Sequence, residues 1–124
     1  VVGSGYNQPI ACNDPSAHAE VLAIRQAAAH LGNYRLPEAA LFVTMEPCVM
    51  CAGLIVNARI AKLIFGARDL RFGGVRSKFR LADSPLLNHR VEVVEGVLGA
   101  QSTALVRKFF AARRGSGDSR AIDG

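Results

Sequence analysis

The sequence predicts a single α/β domain with a largely parallel sheet and covering helices. Three observations support this prediction. The chain has 124 residues, which is the length of one domain. Hydrophobic residues make up 50% of it, enough to bury a core. Short apolar runs alternate with segments of helical periodicity, which is the pattern of strands connected by helices over a parallel sheet.

The first half of the chain predicts a helix, a strand and a second helix. Residues 14–32 carry apolar side chains at helical spacing, with Asp14 as the capping residue and Gly32 as the stop. Residues 40–45, the apolar run ALFVTM, are typical of a buried strand. A second helix is then predicted to begin near Pro47 and to run through residues 48–59, which contain two cysteines.

The second half predicts two further strands and a third helix. The strands are expected at residues 61–67 and 90–97, the helix at residues 100–114, and a long glycine- and arginine-containing connection at residues 68–89. The domain is therefore predicted to span residues 1–114. Residues 115–124 are polar and predict a disordered tail. No apolar run reaches the length of about 18 residues that a membrane span needs.

The charge of the chain is unevenly distributed. The net charge is +5; residues 68–124 carry eleven basic and six acidic side chains, whereas residues 1–67 carry four of each. Such asymmetry is typical of a protein with a polyanionic partner, nucleic acid first, although solvated helix faces would give the same count. The three cysteines are too few for a disulfide framework, and the chain opens without a secretory leader. We therefore predict a cytoplasmic protein.

Cys48 and Cys51 are the residues that first indicate chemistry. A Cys-x-x-Cys pair at a helix start can be a redox couple, because the helix N-terminus lowers the thiol pKa. The same spacing can hold zinc, because two sulfurs three positions apart point to one place. Two small buried thiols with no function would look the same in the sequence.

His18 favours the metal interpretation, because it also lies in the first turn of a predicted helix. If the two helix starts meet, His18, Cys48 and Cys51 supply three ligands and leave a fourth position for water, as in catalytic zinc sites. His30 and His89 are interpreted as structural or surface residues, and Cys12, which lies outside both helix starts, as a non-ligating cysteine.

Glu20, two residues after His18, is the candidate general acid/base beside such a metal. A carboxylate there can move protons to and from the water. A first-turn glutamate that only stabilises the helix dipole is the alternative interpretation. Glu46 competes for the catalytic role, but it precedes its helix and is expected to be less well aimed.

These residues carry a resemblance. His-x-Glu at residues 18–20 and Pro-Cys-x-x-Cys at residues 47–51 match the signature of the zinc nucleobase deaminases. The sequence also resembles the bacterial tRNA-specific adenosine deaminases, the TadA family, in segments that extend to about residue 114. These segments are GYNQPI, DPSAHAE, NYRL, EPCVMCAG, FGARD, NHRVEV, EGVL and FFAARR.

The resemblance implies a fold and an activity. The fold would be the three-layer α/β/α arrangement of the cytidine deaminases. His18, Cys48 and Cys51 would hold one zinc ion per chain, and Glu20 would move protons while water replaces the amino group at C6 of adenine. The family converts the wobble adenosine of a tRNA anticodon loop to inosine as a homodimer. In this sequence, Asn7 and the backbone of Ala19 match the family's contacts to the flipped nucleoside.

The basic half of the chain supplies candidate contacts to nucleic acid. Candidate phosphate contacts are Arg68, Arg71, Arg113 and Arg114. Either Phe72 or Phe110 could stack on a base or wall the pocket, although core packing is the ordinary role of a phenylalanine. Asp69 lies between two arginines, and we expect it to accept a hydrogen bond from a ribose 2′-OH and so favour RNA over DNA. A simple surface Asp–Arg pair is the alternative.

The sequence departs from the family in two places. Family members have a first helix and a first strand that are missing here, so the chain resembles an N-terminally truncated form. In the family's sheet, of order 2-1-3-4-5, the missing strand lies between the strands expected here at residues 1–7 and 40–45. Either the chain is a truncated or engineered form or a fragment, or another segment occupies that slot. If residues 1–6 moved into it, the sheet would have four strands. Residues 70–85 also differ from the family's small-residue loop, so the preferred substrate could differ and could include single-stranded DNA.

Two other functions remain open at this point. A deaminase of free guanine or cytosine would share the same zinc signature, although the basic C-terminal half favours a nucleic-acid substrate. A catalytically silent RNA-binding subunit would not need Glu20.

Overall fold

The computed structural model describes residues 2–97 and 121–123, which form two helices and five strands. The helices are α1 (Ala19–Leu31) and α2 (Val49–Asn57). The strands are β1 (Gly3–Ser4), β2 (Ala40–Met45), β3 (Lys62–Ala67), β4 (Glu92–Val94) and β5 (Ala121–Asp123). The predicted helix at residues 100–114 lies outside the described residues, as do Phe110, Arg113 and Arg114.

The strands form one sheet of order β1-β5-β2-β3-β4. Every strand pair that the structure describes is parallel. The two central apolar strands pair in register, with Leu41 opposite Leu63 and Val43 opposite Phe65. Because alternate residues point to opposite faces, these four side chains share one face of the sheet.

Both described helices pack on that face. The main core joins Ile24 of α1 and Ile55 of α2 to the inward side chains of β2 and β3. The opposite face of these strands carries a smaller cluster in which Phe42 and Ile64 pack against Val97. Both faces of the central strands are thus buried, which explains their uninterrupted apolar sequences. None of the described helices is long and apolar enough to cross a membrane.

Helix α1 begins four residues later than the sequence predicts, because its N-cap is His18 and not Asp14. The side chain of Asp14 accepts hydrogen bonds from both the backbone N–H and the hydroxyl of Ser16, so it closes a local turn instead of capping the helix. His18 is the N-cap residue, and its side chain makes no capping bond. The predicted stop is confirmed, because Gly32 follows the helix in the left-handed conformation with φ of 64°.

Strand β1 lies directly against α1, and only glycine permits this approach. A Cβ atom at Gly3 would collide with the backbone oxygen of Ala23, and one at Gly5 would lie 2.8 Å from that of Ala19. The side chain of Gln26 also accepts a hydrogen bond from the backbone N–H of Ser4. This contact fixes the chain that leads from β1 to the start of α1.

Strand β5 occupies the slot between β1 and β2. Ile122 lies opposite Gly3 on one side and Leu41 on the other, and its side chain is fully buried in the core. The predicted disordered tail is therefore wrong at residues 121–123, because a buried isoleucine and pairing on both edges hold them in the sheet. The four-stranded alternative is wrong as well. The rest of the tail lies outside the described residues.

Candidate metal centre and pocket

Two helix starts converge on one point at the C-terminal edge of the sheet. His18 is the N-cap residue of α1, Cys48 is the N-cap residue of α2, and Cys51 lies in the first turn of α2. The Nδ1 atom of His18 is 3.6 Å from the Sγ atom of Cys48 and 3.6 Å from that of Cys51. All three ligand atoms lie within 4.8 Å of one another. The predicted convergence is confirmed.

These distances fit a tetrahedral zinc ion. Bonds of about 2.0–2.1 Å to nitrogen and about 2.3 Å to sulfur, at a tetrahedral angle, separate the two atoms by about 3.6 Å. One imidazole and two thiols are also the donor set that zinc prefers. Among the described residues, no other group of three His, Cys, Asp or Glu side chains is placed in this way.

The thiol of Cys51 needs a cation to act as a thiolate. Burial raises its pKa, and the nearby Glu20 and Cys48 raise it further. Both cysteines of the pair are free thiols in the structure. A bound dication would supply the positive charge that stabilises a thiolate in this place. Cys12 is exposed and lies outside the cluster, as the sequence predicted.

A pocket of about 740 Å³ opens beside the three ligands. Glu20 lines it together with His18 and Cys48, so a carboxylate and the candidate metal face the same space. The other lining residues come from the two helix starts, from β2 and from the neighbouring loops, and they are Asn7, Pro15, Ala19, Val43, Thr44, Met45, Glu46, Val49, Met50, Asp69, Arg71, Phe72, Lys78 and Phe79. The pocket is large enough for a small organic ligand such as a nucleoside.

The carboxylate of Glu46 is engaged in hydrogen bonds to the loop that follows β3. Its side chain is only 3% exposed, and its carboxylate accepts hydrogen bonds from the backbone N–H groups of four residues and from one hydroxyl. These donors are Asp69, Val75, Arg76 and Ser77, with Ser77 donating twice. Burial alone would raise the pKa of Glu46, but the hydrogen bonds outweigh it and lower the pKa to about 2.

The loop that Glu46 holds also contacts the metal-ligand segment. Gly73 forms an antiparallel bridge with Cys48, and the backbone N–H of Gly74 donates to the carbonyl of Pro47 at 2.8 Å. A Cβ atom at Gly73 would collide with the carboxylate of Glu46, and one at Gly74 would lie 2.8 Å from the backbone of Val49. We call residues 69–79 the rim loop, because this segment forms one side of the pocket.

Asn7 connects the end of β1 to the start of α1. Its side-chain oxygen accepts a hydrogen bond of 2.8 Å from the backbone N–H of Ala19. It thereby caps the helix in place of His18, whose imidazole points at the two cysteines. Asn7 and Ala19 both line the pocket, so the two predicted nucleoside contacts lie side by side.

The predicted nucleic-acid residues separate into two groups. Asp69, Arg71 and Phe72 line the pocket. One oxygen of Asp69 accepts hydrogen bonds from the backbone N–H groups of Arg71 and Phe72, each at 3.1 Å, so the described structure holds a backbone turn there. Arg68 makes a two-pronged ion pair with Glu95, at 2.8 and 3.2 Å, and a phosphate contact would have to compete with that pair.

Two pocket residues were missed in the sequence. Lys78 and Phe79 line the pocket on the rim loop, and both are exposed. The signal was present, because a second aromatic residue follows a cation in RSKF as one does in LRFG. Its weight could only be judged once the fold placed both pairs beside the same pocket.

The chain is similar in sequence to known deaminases. The model of the MafB19-like deaminase family matches residues 1–114. The tRNA-specific adenosine deaminase of Haemophilus influenzae is 44% identical over 92% of this chain and 66% of its own length. The chain thus spans about two thirds of that curated relative.

Two solved structures are also similar. One comes from work on A-to-I editing by tRNA:A34 deaminases at the wobble position of transfer RNA. It has a TM-score of 0.76 and 41% identity, and the match covers 85% of this chain and 76% of that one. The second is a guanine deaminase from Nitrosomonas europaea, with a TM-score of 0.60 and 27% identity over 86% of this chain and 64% of that one.

Proposed function

The chain belongs to the MafB19-like deaminase family, and we propose that it converts adenosine to inosine in RNA. Its membership of that family and its structural match confirm the resemblance and the cytidine-deaminase-like fold that were predicted from the sequence. The substrate we favour is the wobble adenosine of a tRNA anticodon loop. One observation carries this proposal: His18, Cys48 and Cys51 meet at the wall of a pocket that also contains Glu20.

The proposed reaction divides the work between a cofactor and a side chain. Bound by His18, Cys48 and Cys51, one zinc ion would act as a Lewis acid that makes water a nucleophile near neutral pH. Glu20 accepts a proton as the water oxygen bonds to C6, and it returns protons to the ring nitrogen and to the departing amine. The C6–N bond breaks, ammonia leaves and the oxygen stays on the ring. The overall reaction converts adenosine and water to inosine and ammonia.

The test of this proposal is a joint measurement of zinc content and inosine formation. We expect one zinc ion per chain and inosine at the wobble position of an anticodon stem-loop. Free guanine and free cytosine are incubated in parallel, because the likeness to a guanine deaminase makes free-base deamination the second candidate. Product from a free base but none from the stem-loop would reverse the choice. Binding of the stem-loop with no product from any substrate would indicate a silent RNA-binding subunit.

Two substitutions of Asn7 can separate its role as a helix cap from its proposed contact with substrate. Asn7→Asp keeps an oxygen for the N–H of Ala19, and its charge is favourable at a helix N-terminus, but it lacks the amide donor. We expect unchanged thermal stability and at least about tenfold slower inosine formation. Asn7→Ala should lose activity and also about 1 kcal/mol of stability. Full activity in Asn7→Asp would show that the amide does not contact substrate.

Asp69 is proposed to select RNA over DNA. Asparagine at this position can still accept hydrogen bonds from the backbone N–H groups of Arg71 and Phe72. It replaces the second carboxylate oxygen by an NH₂ group, which donates and does not accept. We expect Asp69→Asn to raise the ratio of DNA to RNA deamination, measured on hairpins of the same sequence. Asp14→Asn is the control, because Asp14 closes a similar turn outside the residues that line the pocket. An unchanged ratio would contradict the proposal.

We further propose that two copies of the chain associate and that the enzyme works in the cytoplasm, where tRNA substrates are found. Exposed apolar side chains beside the pocket support the association, and they include Met45, Val49, Met50 and Leu70. Light scattering after size exclusion measures the oligomeric state directly.

A further inference from the structure

Four side chains of the rim loop have no part in the reaction described above. They are Arg71, Phe72, Lys78 and Phe79, and all four line the pocket. Phe72 is 63% exposed and Phe79 is 57% exposed, so neither ring packs in the core. Two large, exposed aromatic rings beside the pocket require an explanation other than folding.

The rim loop presents these rings on a fixed backbone. The buried carboxylate of Glu46 holds both ends of the segment from Asp69 to Ser77, and Gly73 is bridged to Cys48. The backbone N–H of Lys78 also donates to the carbonyl of Gly73 at 2.9 Å. A partner that lands on the rim therefore meets a surface that is already ordered, which reduces the entropy lost on binding.

Two cations of the rim loop form no ion pair with any described residue, whereas three neighbouring arginines do. Arg68, Arg76 and Arg80 each form an ion pair with Glu95 or Asp83. Within residues 2–97 and 121–123, neither Arg71 nor Lys78 has such a partner. The guanidinium of Arg71 instead lies 5.5 Å from the centre of the Phe72 ring. Positive charge and exposed aromatic rings are thus interleaved along this side of the pocket.

We propose that Phe72 and Phe79 stack on the nucleotides that flank the reactive adenosine, while Arg71 and Lys78 hold their phosphates. Aromatic rings beside a basic track are how proteins bind single-stranded nucleic acid, because every base has a face to stack and every nucleotide a phosphate. This inference rests on the proposed function, since it uses the same pocket. It makes the rim the feature that selects a polynucleotide over a free base, and it assigns a role to Lys78 and Phe79.

The test compares rim variants with a matched pair elsewhere on the surface. Phe72→Leu, Phe79→Leu and Lys78→Gln are prepared, together with Phe79→Tyr, which keeps an aromatic ring. The control variants are Tyr34→Leu and Arg35→Gln, because Arg35 lies 5.3 Å from the Tyr34 ring and Tyr34 is 74% exposed, yet neither residue lines the pocket. All are measured for stem-loop binding, inosine formation and oligomeric state.

Each leucine variant should weaken binding of the anticodon stem-loop by about 5- to 150-fold, and Phe79→Tyr should restore it. Lys78→Gln should reduce the slope of log affinity against log salt by about 0.7. In stem-loops with 2-aminopurine next to the target adenosine, binding to the parent protein should quench the fluorescence, and Phe79→Leu should remove the quenching. The control pair should match the parent.

Unchanged affinity and unchanged quenching in both leucine variants would overturn the proposal. So would a loss of binding that coincides with dissociation of a dimer, since the rim would then be a subunit contact. The deaminase proposal fails separately. If the parent protein binds the stem-loop through the rim loop but forms no inosine, the rim proposal is supported and the deaminase proposal is contradicted. If every rim variant forms inosine at the parental rate, the deaminase proposal is supported and the rim proposal is contradicted.

Discussion

Replacing Glu20 by glutamine is expected to slow inosine formation by about 10²- to 10⁴-fold while the zinc content stays at one ion per chain. Glutamine has the shape and hydrogen-bonding capacity of glutamate, but it cannot accept and return a proton. The three ligand side chains do not include Glu20, so metal binding should be preserved. The rate is measured under single-turnover conditions on the anticodon stem-loop, and zinc is measured on the same sample.

The control for this experiment is Glu92→Gln, which removes an exposed carboxylate on strand β4 that does not line the pocket. It should react at the parental rate. Parental activity in Glu20→Gln would transfer the proton-moving role to another group and contradict the assignment made here. Loss of zinc in Glu20→Gln would give the carboxylate a part in holding the metal instead.

Replacing Glu46 by glutamine is expected to lower the free energy of unfolding by about 2–4 kcal/mol. The carboxylate accepts five hydrogen bonds in a buried place, and four of the donors are backbone N–H groups. Glutamine keeps one oxygen and turns an NH₂ group towards donors that can no longer be satisfied. Since a domain is stable by only about 5–15 kcal/mol, this loss is large. Denaturant unfolding measures it.

Glu95→Gln is the matched control for Glu46→Gln. Glu95 also accepts hydrogen bonds from the rim region, through Arg68, but its side chain is partly exposed and the pair is screened by solvent. Its removal should change the unfolding free energy by less than about 1 kcal/mol. A comparably small effect in Glu46→Gln would show that water or a rearranged loop satisfies the freed N–H groups.

The convergence of His18, Cys48 and Cys51 could be predicted from the sequence because the constraint on it is largely local. His18 and Cys48 each sit at a helix start, and Cys51 follows one turn into α2, so spacing alone brings the sulfurs together. Only the meeting of the two helices had to be assumed. The parallel pairing of β2 and β3 was predictable for the same reason, since each is a short apolar run bounded by helical segments.

The other features depend on contacts between distant parts of the chain. Glu46 receives its hydrogen bonds from residues 23 to 31 positions away, and no local pattern announces them. The error at the start of α1 has a local cause. Asp14 can either cap a helix or close a turn, and in the structure it closes a turn by accepting hydrogen bonds from Ser16. Lys78 and Phe79 were overlooked because their exposure depends on the path of the rim loop.

The position of β5 has a consequence for how the protein is made. Gly3 and Ile122 are neighbours in the sheet, so synthesis must proceed past residue 122 before β1 can join β2 through it. Until then, the nascent chain carries two unpaired strand edges, which are a hazard for self-association. Expression at lower temperature, or together with chaperones that shield such edges, should therefore raise the yield of native protein more than changes made near the reaction site.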